Sequence, residues 1–179
     1  MDQVVVVGDT AVSTGSYLLR IQVMADLQVR FGRFAGGAAL FVPRGEYVYV
    51  GSAMRGLAAR LLRHASRSQG AHHAIFVEMQ RQFVALGLLR ANWRLAPKRL
   101  HWHVDYLLEE TAVTLTHVLL IRSRDRLESH LARRLMADAA THALIPSLGA
   151  SDASGETHLL RVAADEAWWD RVAQIWRET

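Results

Sequence analysis

Short apolar runs separated by turns dominate the first third of the chain, and apolar residues at helical spacing dominate most of the remainder. Residues 4–7 and 15–23 read as strands, with a turn around Gly8-Asp9 between them. Further short strands are predicted at 27–31 and 38–42, on either side of Gly36-Gly37. Pro43-Arg44-Gly45 then makes a turn into a strand at 46–52. The period changes after Gly56, where a helix of about 56–67 carries Leu57, Ala58, Leu61, Leu62 and Ala65 on one stripe. Its other face carries Arg60, Arg63, His64 and Arg67. A polar loop at 66–73 leads to a second helix at 74–90, with Ile75, Met79, Phe83 and Leu86 as its stripe, and Pro97 closes the stretch after it. Val113, Leu115, Val118 and Ile121 mark a strand at 113–121. Asp125 opens a helix to about residue 140, Pro146 to Gly155 is a loop of small residues, and Asp165 caps a last helix at about 165–177. That helix is expected to bury some of Trp168, Trp169, Ile175 and Trp176. The expectation is one domain over 1–179, with no repeat and no linker.

Composition narrows the function classes. A chain of 179 residues is long enough for a real core, and 51% hydrophobic with 21% charged residues is globular material. There is no cysteine, so neither disulfides nor thiolate metal sites form; this fits a reducing cytoplasm. The apolar run Val4 to Val7 is too short to span a bilayer and no basic segment precedes it, so no signal peptide, anchor or membrane partner is expected. The net charge is +4, and of 21 basic residues only Lys98 is a lysine. Arginine matches phosphate bidentately and stays charged, which points to a phosphate-rich partner. Free use of arginine by a GC-rich coding sequence gives the same bias.

Five groups of residues could carry chemistry. In the strand 46–52 a period of two puts Tyr47, Tyr49 and Gly51 on one face, and in 15–21 it puts Gly15 with Tyr17. Antiparallel pairing would let Tyr17 and Tyr49 converge, with Gly51 leaving room for a phosphate backbone. The tyrosines could equally cover a sheet. Arg60 and His64 lie one turn apart on the next helix, within reach of a ligand above the sheet or simply in solvent. Glu128 falls within the apolar stripe Leu131, Ala132, Leu135, Met136 and Ala139, where a carboxylate needs a cation or donors to meet it. A divalent metal would serve; so would a capping box with Asp125, in which Glu128 reaches back to a backbone N–H. In His101-Trp102-His103-Val104-Asp105-Tyr106, His101 and Asp105 are neighbours whether the segment is strand or helix. They could ligate metal, or the Asp could orient the His; the alternative is a polar face above buried Trp102 and Tyr106. The late segment Gly149-Ala150-Ser151-Asp152, leading to His158, suits either a site or a surface loop with its own Asx turn.

Together these segments resemble the GIY-YIG nuclease superfamily. Gly15-Ser16-Tyr17 stands for its first motif, Tyr49-Val50-Gly51 for its second, Gly56 to Arg60 for the arginine-bearing helix and Glu128 to Arg133 for the glutamate helix. A closer resemblance is to one branch of that superfamily with no assigned role. The blocks that carry it are Tyr47 to Ala53, Arg63-His64, His101 to Tyr106, and Ser151-Asp152 with His158-Leu159. Ser16 replaces the isoleucine of the name-giving pattern, the cysteines usual in the branch are absent near His130, Ala153 and Gly155, and residues 68–98 look like an inserted helix. That insertion would be a lid, a nucleic-acid clamp or a partner surface.

The resemblance implies an α+β fold, a central antiparallel sheet flanked by helices, with extra strands at the N-terminus. It also implies a metal-dependent endonuclease acting on DNA, with RNA as the alternative substrate, in repair or genome defence. By the same resemblance Glu128 holds Mg²⁺ (Mn²⁺ as the alternative), Tyr17 and Tyr49 supply base and positioning hydroxyls, Arg60 clamps phosphate, and His64 is a second candidate base or leaving-group acid. Gly51, Ser52, Arg63, Arg67, His101, His103 and Asp105 are then expected along the nucleic acid. A free phenol is a poor base at neutral pH, so the expectation includes a tyrosine pKa lowered by Arg60 and the metal. Two other readings stand beside it: a nucleic-acid-binding module with a vestigial site, and a hydrolase of small molecules with zinc on His101, His103 and Asp105.

Overall fold

The structure is a computed structural model that describes residues 2–149 and 156–177. Six strands form the main sheet: β1 (Val4–Gly8), β2 (Gly15–Val23), β5 (Gly45–Ala53), β6 (Val113–Arg122), β7 (Thr141–Ala143) and β8 (Leu159–Val162). Their order is β1-β6-β2-β5-β8-β7. The remaining strands, β3 (Leu27–Arg30) and β4 (Ala39–Val42), make a separate antiparallel ribbon. The helices are α1 (Leu57–Ala65), α2 (Ile75–Ala85), α3 (His103–Glu109), α4 (Glu128–Met136) and α5 (Glu166–Arg177). The class is α+β.

The main sheet is mixed, which corrects the expected antiparallel one. β1 runs parallel to β6, and every other neighbouring pair is antiparallel. The reason lies in β6. Leu115, Val118 and Leu120 enter one core, while Leu119 and Ile121 enter the other. A strand buried on both faces belongs inside a sheet, so β6 separates β1 from β2 although those two are adjacent in the chain.

Two cores lie on opposite sides of this sheet. One gathers Tyr17, Leu19, Ile21, Tyr47 and Tyr49 against α1, α2 and α3. The other gathers Leu18, Val48, Val50, Leu119 and Leu160 against α4 and α5, with Trp168 and Trp169 buried. The side chain of Trp176 lies outside those described. Odd and even residues of β2 and β5 thus face different cores, as the strand period requires.

Helix ends differ from expectation for identifiable reasons. α1 starts at Leu57 because Gly56 adopts a left-handed conformation, φ +57°, that glycine tolerates. α2 stops at Ala85, short of the expected residue 90; Gly87 at φ +68° turns the chain and leaves Leu86 exposed. α4 runs 128–136 rather than 125–140. Its N-cap is Leu127, whose N–H is held by Ser16 Oγ at 2.9 Å, so a tertiary contact sets the start. Asp125 is therefore no cap and no capping box forms with Glu128. Asp165 does accept from Trp168 N–H at 3.0 Å at the start of α5. The segment 101–106, for which the pattern allows strand or helix, forms the entry and first turn of α3.

The inserted stretch is tied to the body by His73. Leu115 N–H donates to its Nδ1 at 3.1 Å, which leaves Nε2 to donate to Leu108 O at 3.1 Å. Burial, aided by Arg67, pushes this imidazole down to a pKa of about 4. Among the described residues, no helix is long and apolar enough to cross a membrane.

Candidate functional site

A cleft of about 590 Å³ opens where β5 runs past the start of β8. Pairing of those strands ends at Tyr49↔Leu159, and only the bond from Val50 N–H to His158 O, 2.9 Å, continues it. Residues from both faces of the sheet meet in this notch. Tyr17, Tyr49, Ser52, Arg60, Trp102 and Glu128 line it, with Arg126 and His158.

The inner wall is a buried hydrogen-bonded chain. Tyr17 and Tyr49 do converge, with ring centroids 6.4 Å apart. Tyr17 lies across Gly51, its register partner. A Cβ on Gly51 would stand 2.5 Å from the Tyr17 ring, so the space expected for a phosphate backbone is occupied by Tyr17 itself. The Tyr17 hydroxyl is 2.8 Å from His64 Nε2, and His64 Nδ1 is 2.9 Å from Asp105 Oδ1. Asp105 Oδ2 accepts from Arg63 at 3.0 Å and from the backbone N–H groups of His101 and Trp102. Burial opposes its charge, but His64, Lys98 and Arg63 outweigh burial and hold its pKa well below the usual carboxylate range. An ionised Asp105 can only accept, so His64 Nδ1 carries the proton and Nε2 accepts from Tyr17 O–H.

Burial sets the charge states along this wall. It pushes the Tyr17 and Tyr49 hydroxyls well above their ordinary pKa, and Arg60 offsets only part of the shift at either. Arg60 by itself therefore does not produce the lowered tyrosine pKa expected of Arg60 and a metal together. Burial also lowers the pKa of His64 in spite of Asp105, so the imidazole is neutral at neutral pH. His64 is a fully buried member of the core rather than part of an exposed basic face.

Arg60 is aimed by Trp102, whose ring its guanidinium covers at 3.7 Å from the centroid. Arg63 packs on the same ring at 4.6 Å. Stacking of this kind fixes a long side chain without removing its charge.

The outer wall holds Glu128, whose side chain is 18% exposed. Ser52 Oγ donates to Glu128 Oε2, His158 Nδ1 stands 3.1 Å from Oε1, and Arg126 Nη1 stands 3.9 Å from Oε2. Burial disfavours ionisation here, yet His158 and Ser52 outweigh it and keep the Glu128 pKa below its usual value. His158 in turn reaches Glu156 Oε2 through Nε2 at 3.1 Å. Burial lowers the His158 pKa, but Glu128 and Glu156 together raise it above the ordinary value.

Several expected nucleic-acid contacts are committed elsewhere. Ser52 serves Glu128, and Arg63 serves Asp105. Arg67 donates to the backbone carbonyls of Leu108, Ala71, Glu110 and Val113, so it is a brace. His103 accepts from Gly149 N–H at 3.0 Å and packs edge-on to Phe34. His101 remains exposed at the mouth of the cleft. His103 is held by Gly149 and Asp105 by His64 and Arg63, while His101 stays exposed, so the zinc set of the alternative reading is not assembled. Among the described residues, no group of three or more His, Asp or Glu side chains gathers around one point. Ala150, Ser151, Asp152, Ala153 and Gly155 lie outside the described residues.

Sequence reading missed three contributors. Trp102 as the shelf for Arg60 had a signal, an aromatic between two histidines, but nothing to link it to a helix some forty residues earlier. Arg126 and Glu156 had none, because ordinary charged loop residues carry no period. No curated protein and no solved structure matches the chain. The model of a domain of unknown function, DUF123, matches residues 16–179, most of the chain, which therefore belongs to the DUF123 family.

Proposed function

We propose that the protein is a divalent-metal-dependent endonuclease of the GIY-YIG type that hydrolyses phosphodiesters in DNA. One observation carries the reading: Tyr17, Tyr49, Arg60 and Glu128, brought from separate stretches of the chain, line a single polar cleft. Arginine-rich composition and a net charge of +4 suit a polyanionic substrate.

The chain's own groups supply a route for a proton. Tyr17 O–H already donates to neutral His64 Nε2. An attacking water bound by the Tyr17 oxygen can pass it a proton while the phenolic proton moves to His64, and Asp105 stabilises the imidazolium that forms. Tyr17 is thus a relay rather than a phenolate base, which agrees with its raised pKa. Tyr49 packs beside Tyr17 and His64 and completes the wall. Arg60, steadied on Trp102, meets the charge that grows on the phosphate. The Glu128 carboxylate and Ser52 hydroxyl are oxygen donors facing an open cleft, a set that fits Mg²⁺, with Mn²⁺ as the alternative. When bound, such an ion polarises the phosphate and neutralises the leaving oxygen.

The test is cleavage of labelled single-stranded, duplex and branched DNA with Mg²⁺, Mn²⁺ or EDTA, comparing the wild type with Glu128→Ala. Metal-dependent cutting that the substitution abolishes is expected. Equal cutting by both proteins overturns the role of Glu128. Salt-sensitive binding without any product would instead make the domain a nucleic-acid-binding module.

A further inference from the structure

His158 has no part in the relay, yet it is among the most constrained side chains in the cleft. It is 3% exposed, and its Nδ1 is one of three buried side-chain atoms among the described residues that make no hydrogen bond. That atom points at Glu128, 3.1 Å from Oε1, within ion-pair distance but without hydrogen-bond geometry. Its other nitrogen, Nε2, faces Glu156 Oε2 at 3.1 Å. The neighbouring backbone leaves little slack: a Cβ on Gly149 would stand 3.1 Å from His158 Cβ.

We infer that His158 Nδ1 is a second protein ligand, beside Glu128, for the divalent cation of this cleft. Three features converge on it. A histidine that ligates a metal donates its other ring N–H to a carboxylate, which fixes the tautomer and leaves the ligating nitrogen free; Glu156 occupies that supporting position. Two neighbouring ligands of an octahedral ion, each about 2.1 Å from it, stand about 3 Å apart, close to the separation between Nδ1 and Oε1. Such a pair also meets obliquely, with the oxygen about 45° off the nitrogen lone pair, because the ion occupies the corner between them. An oblique approach spoils a hydrogen bond and suits shared coordination. Ser52 Oγ, on the second oxygen of Glu128, orients the carboxylate. Two protein ligands leave the remaining positions to water and phosphate, as hard divalent ions require. The imidazole makes the site better suited to Mn²⁺ than an all-oxygen site would be.

The inference rests on the proposed metal dependence, but its test does not use cleavage. Pulsed electron paramagnetic resonance of Mn²⁺ bound to the wild-type chain should show ¹⁴N coupling from a directly bound imidazole, and ¹⁵N-histidine labelling should replace it. His158→Gln keeps a partner for Glu156 and removes Nδ1; it should erase the coupling and weaken Mn²⁺ binding by about tenfold or more, while Glu156→Gln weakens it by about tenfold. Unfolding curves of both variants accompany the titration. Absence of nitrogen coupling in the wild type, or no Mn²⁺ binding, overturns the inference, and that result needs no variant to fold. Coupling that persists in a folded His158→Gln protein overturns it as well. Nitrogen coupling in a protein that cuts no DNA would leave the metal site standing and the nuclease reading refuted.

Discussion

The two walls of the cleft each hold a buried histidine beside a carboxylate, and the pKa values of the two histidines are shifted in opposite directions. His64 faces one carboxylate, Asp105, whose charge is already shared with Arg63 and two backbone N–H groups. Burial therefore prevails and the imidazole is driven toward neutrality. His158 stands between Glu128 and Glu156, and the two carboxylates together overcome its burial and raise its pKa. At His64 burial, with Lys98 and Arg60 adding to it, outweighs one shared carboxylate, whereas at His158 two carboxylates outweigh burial. The inner wall is thus ready to accept a proton, and the outer wall carries the charge that a cation would join.

Substitutions and pH profiles can test this contrast. The largest effect should come from Gly51→Ala. Its new Cβ collides with the Tyr17 ring, so the relay is displaced and cleavage falls to background. Retained activity in that variant would refute Tyr17 as a working group. His64→Gln or Tyr17→Phe cuts the relay without a clash, and a loss of about 10²- to 10⁴-fold in turnover is expected. A smaller drop, with unchanged pH dependence, would mean that water reaches another base.

Because His64 must be neutral to accept the proton, and burial lowers its pKa, activity should hold as pH falls past the ordinary histidine value of about 6.5. It should be lost only as pH drops through the lowered pKa. Loss near or above 6.5 would contradict a buried neutral acceptor. Asp105→Asn should move that acid limb lower still.

Away from the cleft, His73 extends the comparison to a third buried histidine, one whose nitrogens meet backbone groups rather than a carboxylate. Its folded pKa is about 4, below the unfolded value of about 6.5, so the unfolded chain binds the extra proton between them. Stability is therefore complete above about pH 6.5 and declines as pH falls toward 4, by about 3 kcal/mol from this residue. Denaturant unfolding at several pH values should show the decline, and His73→Asn should flatten part of it.

The smallest effect should be that of Trp102→Ala. The shelf beneath Arg60 contributes about 0.5–2 kcal/mol, so transition-state stabilisation should fall by about 2- to 30-fold. The loss should appear in kcat more than in KM, because Arg60 stays charged but loses its aim.

Local and periodic features were legible in the order of residues alone. The alternation in 15–23 and 46–52 was enough to put Tyr17 with Gly15 and Tyr49 with Tyr47 and Gly51 on one face of each strand, whereas their convergence waited for the pairing of β2 with β5. The misplacement of Glu128 in an apolar stripe was equally legible, because a helix period exposes any residue on the wrong side. The α+β class was expected from the resemblance that the motif blocks carry, not from the periods alone. Everything else waited for tertiary structure. The parallel pairing of β1 with β6, the short strands β7 and β8, and the start of α4 at Ser16 Oγ depend on partners distant in the chain. So do the charge states: a tyrosine pKa lowered by Arg60 and a metal was expected, and burial, which no pattern of residues reports, outweighs the Arg60 share of that. His64 looked like one of four cations on an exposed face, and only the packing of α1 against β2 and α3 turned it inward, between Tyr17 and Asp105. Desolvation is a property of the enclosed volume, and it exists only once the chain has closed around it.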